Sequence, residues 1–104
     1  MKFDYNPDLD ILTVEEEDYD NYSSSAELAS FVIDFDESGD VLGVEIIDAS
    51  EALPLEKDEL ENISQVECSV ERTDEFLKVS VEIYIDGSKN VVSSNFPADS
   101  GLQA

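Results

Sequence analysis

Apolar and polar residues take turns along most of this chain, and the alternation marks out its elements in order. Leu77, Val79, Val81, Ile83 and Ile85 interleave with Lys78, Ser80, Glu82 and Tyr84, the clearest period-two run present. Side chains two apart share one face of a strand. By that rule Phe31, Ile33 and Phe35 define one apolar face, Leu42, Val44 and Ile46 a second, and Val66, Cys68 and Val70 a third. Lys2 to Tyr5 and Leu9 to Val14 flank Asn6-Pro7-Asp8, a cluster of turn formers, and read as a hairpin. Asp36-Glu37-Ser38-Gly39-Asp40 joins the strands 31–35 and 41–47, with Gly39 at the position needing positive φ. Asp86-Gly87 is a type I′ hairpin signal leading into a strand from Asn90 to Asn95.

Three stretches lack this regularity. Glu15 to Ser25 is acidic and serine-rich and reads as a mobile loop, with Tyr19 and Tyr22 placed to dock it locally. Ala26 to Ser30 fits a helical turn and a strand entry equally well. Pro54 and the run from Leu55 to Ile63 predict a short helix with Leu60 and Ile63 facing inward. The expected fold is mainly β (α+β): a domain over 1–97 made of a single antiparallel β-sheet, built from hairpins into six or seven short strands, with a frayed tail over 98–104. Hairpins occupy 1–53; the helix near 55–63 and the C-terminal strands occupy 54–97. The helix or a second subunit is expected to cover the apolar side of the sheet.

Composition narrows the chemistry. A chain of 104 residues has room for one core. No apolar run approaches a membrane span, and Met1-Lys2-Phe3-Asp4-Tyr5 does not open a secretory signal, so a cytoplasmic location is expected. Histidine is absent, which removes Ser/His/Asp and Cys/His nucleophilic machinery. The single cysteine, Cys68, cannot form an internal disulfide or a zinc site by itself. Alternating with Val66 and Val70, it reads as a buried small hydrophobe rather than a reactive thiol. Neither catalytic residues nor a cofactor are expected, and the protein is not expected to be an enzyme.

Charge changes the picture most. Twenty-seven acidic residues face five basic ones, a net charge of −22. Self-repulsion on that scale opposes compaction unless salt screens it. One reading is adaptation to concentrated salt, where a carboxylate-rich surface stays hydrated. The other is an acidic ligand for a basic partner, imitating nucleic-acid phosphates. Direct binding to nucleic acid is disfavoured, because no basic stripe exists to release counterions. The run Glu15-Glu16-Glu17 reads as a solvated face.

One motif tempts a metal assignment. Asp34, Asp36, Ser38, Asp40 and Glu45 fall at the oxygen-donor spacing of an EF-hand calcium loop, with Gly39 at its sixth position. That chemistry needs helices on both sides, whereas the flanks Phe31-Val32-Ile33 and Val41-Leu42-Gly43-Val44 are β-patterned. A metal site is therefore not expected here.

Two stretches together resemble a family. Lys2-Phe3-Asp4-Tyr5-Asn6-Pro7-Asp8-Leu9-Asp10-Ile11-Leu12 is similar to a Tyr-Asp-x-x-x-Asp-x-Leu opening, with Asn6 in place of the first aspartate. Phe35 through Ser50 is similar to a Tyr-Asp-x-x-Gly-x-Val-x-Gly-Ile-Glu-Ile-Leu-x-Ala-Ser core. In this order and spacing both resemble the small prokaryotic domain of unknown function 2283, and the resemblance covers residues 1 to about 53. It implies a compact β domain without established activity, and an antitoxin role through family members encoded beside small toxin-like proteins. Two functions follow as expectations: an interaction module for another protein or a second copy of itself, and an acidic antitoxin-like inhibitor of a basic partner.

Overall fold

A computed structural model describes residues 1–97; the tail expected to fray, 98–104, lies outside them. Eight strands and two helical turns follow one another: β1 (Lys2–Asn6), β2 (Ile11–Glu15), β3 (Tyr22–Leu28), β4 (Phe31–Asp36), β5 (Val41–Ile47), α1 (Ala49–Ala52), α2 (Lys57–Leu60), β6 (Ile63–Arg72), β7 (Phe76–Ile85) and β8 (Ser88–Pro97). The fold is mainly β and antiparallel throughout, as the alternation requires. Eight strands form where the pattern predicts six or seven, and they divide between two sheets rather than one, of order β1-β2-β5-β4-β3 and β6-β7-β8.

The division follows from the side chains. A sheet with one apolar face must bury that face against something. Leu12, Val14, Ile33, Phe35, Val44 and Ile46 from the five-stranded sheet join Leu77, Val79, Val81, Ile83 and Phe96 from the three-stranded sheet in one core. Each sheet thus supplies the cover for the other. The helical turns plug the margin with Ala49, Leu53 and Leu60. The helix near 55–63 is shorter than its pattern suggests. Leu60 is buried and a capping box between Glu56 and Glu59 starts the turn, but Ile63 already begins β6.

One further strand assignment differs from expectation for a local reason. Residues 22–28, within the stretch assigned to a loop and an ambiguous turn, form β3 along the edge of the larger sheet. β5 covers Val41–Ile47 as expected, with Leu42, Val44 and Ile46 all buried, and an irregularity pairs Phe35 with Val41 instead of Leu42.

The predicted turns form as their chemistry demands. Asp86 and Gly87 both take positive φ, 49° and 81°, between Ile85 and Ser88, the backbone of a type I′ turn. Asn6 caps the first hairpin by accepting from the N–H groups of Asp8 and Leu9. Across the sandwich, the Arg72 guanidinium at the end of β6 donates to the carbonyl of Gly39, tying the two sheets together at that turn.

Candidate functional site

Polar side chains gather in three places, and each is set by the register of the strands beneath it. The first lies on the outer face of the larger sheet. Asp34 sits opposite Gly43 and Ser25, so its carboxylate stands over a gap in the surface. Tyr19 fills that gap. A methyl group on Gly43 would meet the Val14 carbonyl at 3.1 Å and the Tyr19 ring at 3.5 Å. The Tyr19 hydroxyl donates to Asp34 Oδ2 at 2.5 Å, and Ser25 donates to Oδ1 at 2.6 Å. The Tyr22 hydroxyl lies 2.7 Å from Ser25 Oγ. Burial and the bond to Asp34 both push the Tyr19 phenol well above its ordinary pKa, so it stays a donor. This arrangement docks the segment between β2 and β3, as the two tyrosines suggested.

The second cluster joins the ends of the larger sheet. Asp10 follows the β1–β2 turn with φ of 55° and accepts three hydrogen bonds. They come from the Tyr5 hydroxyl at 2.6 Å, the Ser50 hydroxyl at 2.6 Å and the Ser50 N–H at 3.1 Å. The Asp10 backbone carbonyl receives the N–H of Ala49. Burial works to raise this carboxyl, but the bonds from Ser50 and Tyr5 and the nearby Lys57 ammonium outweigh it, leaving the pKa below the ordinary value.

The third place is a groove of about 530 Å³ beside β6, lined by Glu16, Val66, Glu67, Cys68 and Glu82 among others. Cys68 is half-buried and packs against the core. Burial, with Glu16 nearby, pushes its thiol up to about 11, so it is protonated at neutral pH.

The residues of the calcium-like motif do not converge. Asp34 is engaged by Tyr19 and Ser25, while Asp36 turns inward to accept the N–H groups of Ser38 and Asp40. Glu45 lies along β5, paired with Thr13 and Val32. Ser38, Gly39 and Asp40 form the β4–β5 turn, with φ of 85° at Gly39. Strands flank this turn on both sides. Among the described residues no three His, Cys, Asp or Glu side chains are placed to hold a metal ion together.

A family model for a protein of unknown function (DUF2283) matches residues 2–50, the five-stranded sheet and the first residues after it. An uncharacterised protein of Methanocaldococcus jannaschii is 33% identical over 86 residues, spanning 82% of this chain and 73% of that one. The chain belongs to the DUF2283 family. A second similar protein, from Methanosarcina mazei, is named "Putative hypoxanthine phosphoribosyltransferase"; it is 29% identical over 83 residues, 80% of this chain. The chain spans 63% of the length of that relative. No solved structure matches.

The second cluster is made of residues from the two ends of the stretch that the family model covers. The tyrosine and the second aspartate of the family's opening pattern are Tyr5 and Asp10, and the serine closing its core pattern is Ser50. The two ends of the signature meet in one hydrogen-bonded knot. Spacing along the chain does not join these residues, because forty positions separate Asp10 from Ser50. The pairing of Ile11 with Ile47 is what brings them together. Among the described residues, no helix is long and apolar enough to cross a membrane.

Proposed function

We propose that this chain is a non-enzymatic interaction module of a high-salt cytoplasm, which meets its partner by strand pairing at an open sheet edge. The observation that carries the reading is β8. It spans ten residues, pairs with β7 on one side, and has no strand on the other among the described residues. Its outward N–H and C=O groups are a template for another strand. Between Asp86 and Asp99 the sequence contains no acidic residue, its longest acid-free stretch. Val91 there is 55% exposed.

The knot around Asp10 is structural in this reading. An acid–base site wants a carboxyl whose pKa is lifted toward neutrality, and Asp10 is held in the opposite direction. The name borne by the Methanosarcina relative would ask for a grip on phosphate groups. Here Lys2, Lys57, Arg72, Lys78 and Lys89 are distributed over five different elements, which supports binding of protein over phosphoryl chemistry. The antitoxin-like alternative would want carboxylates aligned on one face. They occur instead in every strand from β1 to β7 and in most of the turns. That spread suits a hydrated shell better than an imitation of nucleic acid.

The test is affinity capture in multimolar salt, with the intact chain as bait beside a Val91→Glu variant. Specific capture of a protein, a further copy of the chain included, by the intact chain and not by the variant is expected. Equal capture by both, or none by either, would overturn strand pairing at β8.

A further inference from the structure

The module reading leaves the partner open, and the charge of the four sheet edges narrows it. β1 carries Lys2 and Asp4 and sets Lys2 opposite Glu15 of β2; β3 carries Glu27; β6 carries Glu67 and Glu71 against a single cation, Arg72. A basic partner would be drawn to any of these. β8 carries Lys89 and no acid, so it is the edge least suited to a basic surface and best suited to a partner as anionic as this chain. On the basis of the module reading, we propose that β8 pairs antiparallel with β8 of a second copy, joining two three-stranded sheets into one of six.

The geometry is self-complementary, as a two-fold interface demands. Opposed residues in an antiparallel pair share a face, so the two-fold axis must pass through a residue rather than between two. With the axis at Val92, Val91 of each copy stands beside Ser93 of the other, and Lys89 beside Asn95. Every directly opposed pair is then free of like charge, which would be destabilising across a ladder. On the inner face the two Val92 side chains, each half-buried against its own core, meet at the axis and extend that apolar surface. A two-fold at Ser69 of β6 would set Glu67 of each copy against Glu71 of the other. Salt favours the pairing by screening two charges of −22. A lone strand pair lies at the small end of protein interfaces, under roughly 1,200 Å², so the dimer should dissociate on dilution.

Light scattering and sedimentation of the full chain across a dilution series, in dilute buffer and in molar salt, read the proposal. The expected mass is 11.5 kDa at low concentration, rising toward twice that value as concentration and salt rise. Val91→Glu, whose side chain points to solvent, should remain monomeric at concentrations where the parent is dimeric. Ser69→Glu, the same charge on the exposed face of β6, should dimerise as the parent does. Circular dichroism establishes that each variant is folded. Amide hydrogen exchange gives a second readout that needs no variant: β8 should gain protection with concentration while β6 does not. A parent that stays monomeric throughout, or a dimer that survives Val91→Glu, overturns the proposal. Monomeric protein together with β8-dependent capture of a different protein would overturn the self-pairing and leave the module reading standing.

Discussion

Asp10 is the residue on which most local order converges. Its carboxylate holds the Tyr5 and Ser50 hydroxyls and the Ser50 N–H, and its carbonyl holds the start of α1. Hydrogen bonds to a charged acceptor are worth about 1.5–3 kcal/mol in such settings, so Asp10→Asn should cost about 2 kcal/mol at neutral pH. The folded pKa lies below the ordinary 3.8. The ionic contribution is therefore complete at pH above that value and is lost as pH falls through the folded one. Urea titrations of the parent and Asp10→Asn should differ most near pH 7 and begin to converge as pH falls below 3.8. A gap that ignores pH would show that shape alone, rather than charge, fixes the knot.

Elements differ in how openly the sequence announces them, and the difference has a physical origin. β7 is buried on one side along its whole length, so its alternation is complete, and Asp86-Gly87 is one of the few dipeptides that favour two consecutive positive φ angles. β3 was hidden by the reverse conditions. It is an edge strand of sequence Tyr-Ser-Ser-Ser-Ala-Glu-Leu, and it contributes only Ala26 to the margin of the core. Its turn into β4 uses Ala29 at φ of 52°, where glycine or asparagine would have signalled a reversal. A left-handed alanine costs about 1–2 kcal/mol, so Ala29→Gly should raise stability by about 1 kcal/mol, read as a higher urea midpoint at constant slope. A lower midpoint would mean that the hairpin is held in another conformation. Of the polar clusters, the docking of Tyr19 was legible in outline. The junction of Tyr5 and Asp10 with Ser50 was not, since it depends on β2 pairing with β5 across an intervening hairpin.

For the whole molecule, charge is the dominant unbalanced force. Among the described residues the ion pairs are Lys89 with Glu82 at 3.9 Å and the Met1 ammonium with Glu17 at 3.8 Å, each with at least one exposed partner. Pairs of that kind are worth little individually. Glu67 and Glu82 even face each other across β6 and β7. What offsets the repulsion is the shared core, whose buried side chains are all apolar. The Debye length shortens from about 10 Å at 0.1 M salt to about 3 Å at 1 M. Unfolding midpoints should therefore climb steadily through that range in potassium chloride. Midpoints indifferent to salt would remove the case for a high-salt setting.

The family model ends near Ser50, and so does the larger sheet. Among the described residues no strand pair links 2–47 with 63–97; the halves are joined by the short connection, the Arg72 tie and the contact of their oily inner surfaces. A protein made of the first half alone would present Leu12, Ile33, Phe35 and Ile46 bare to water. Any such DUF2283 chain must find a substitute lid, either from further sequence of its own or from a neighbour.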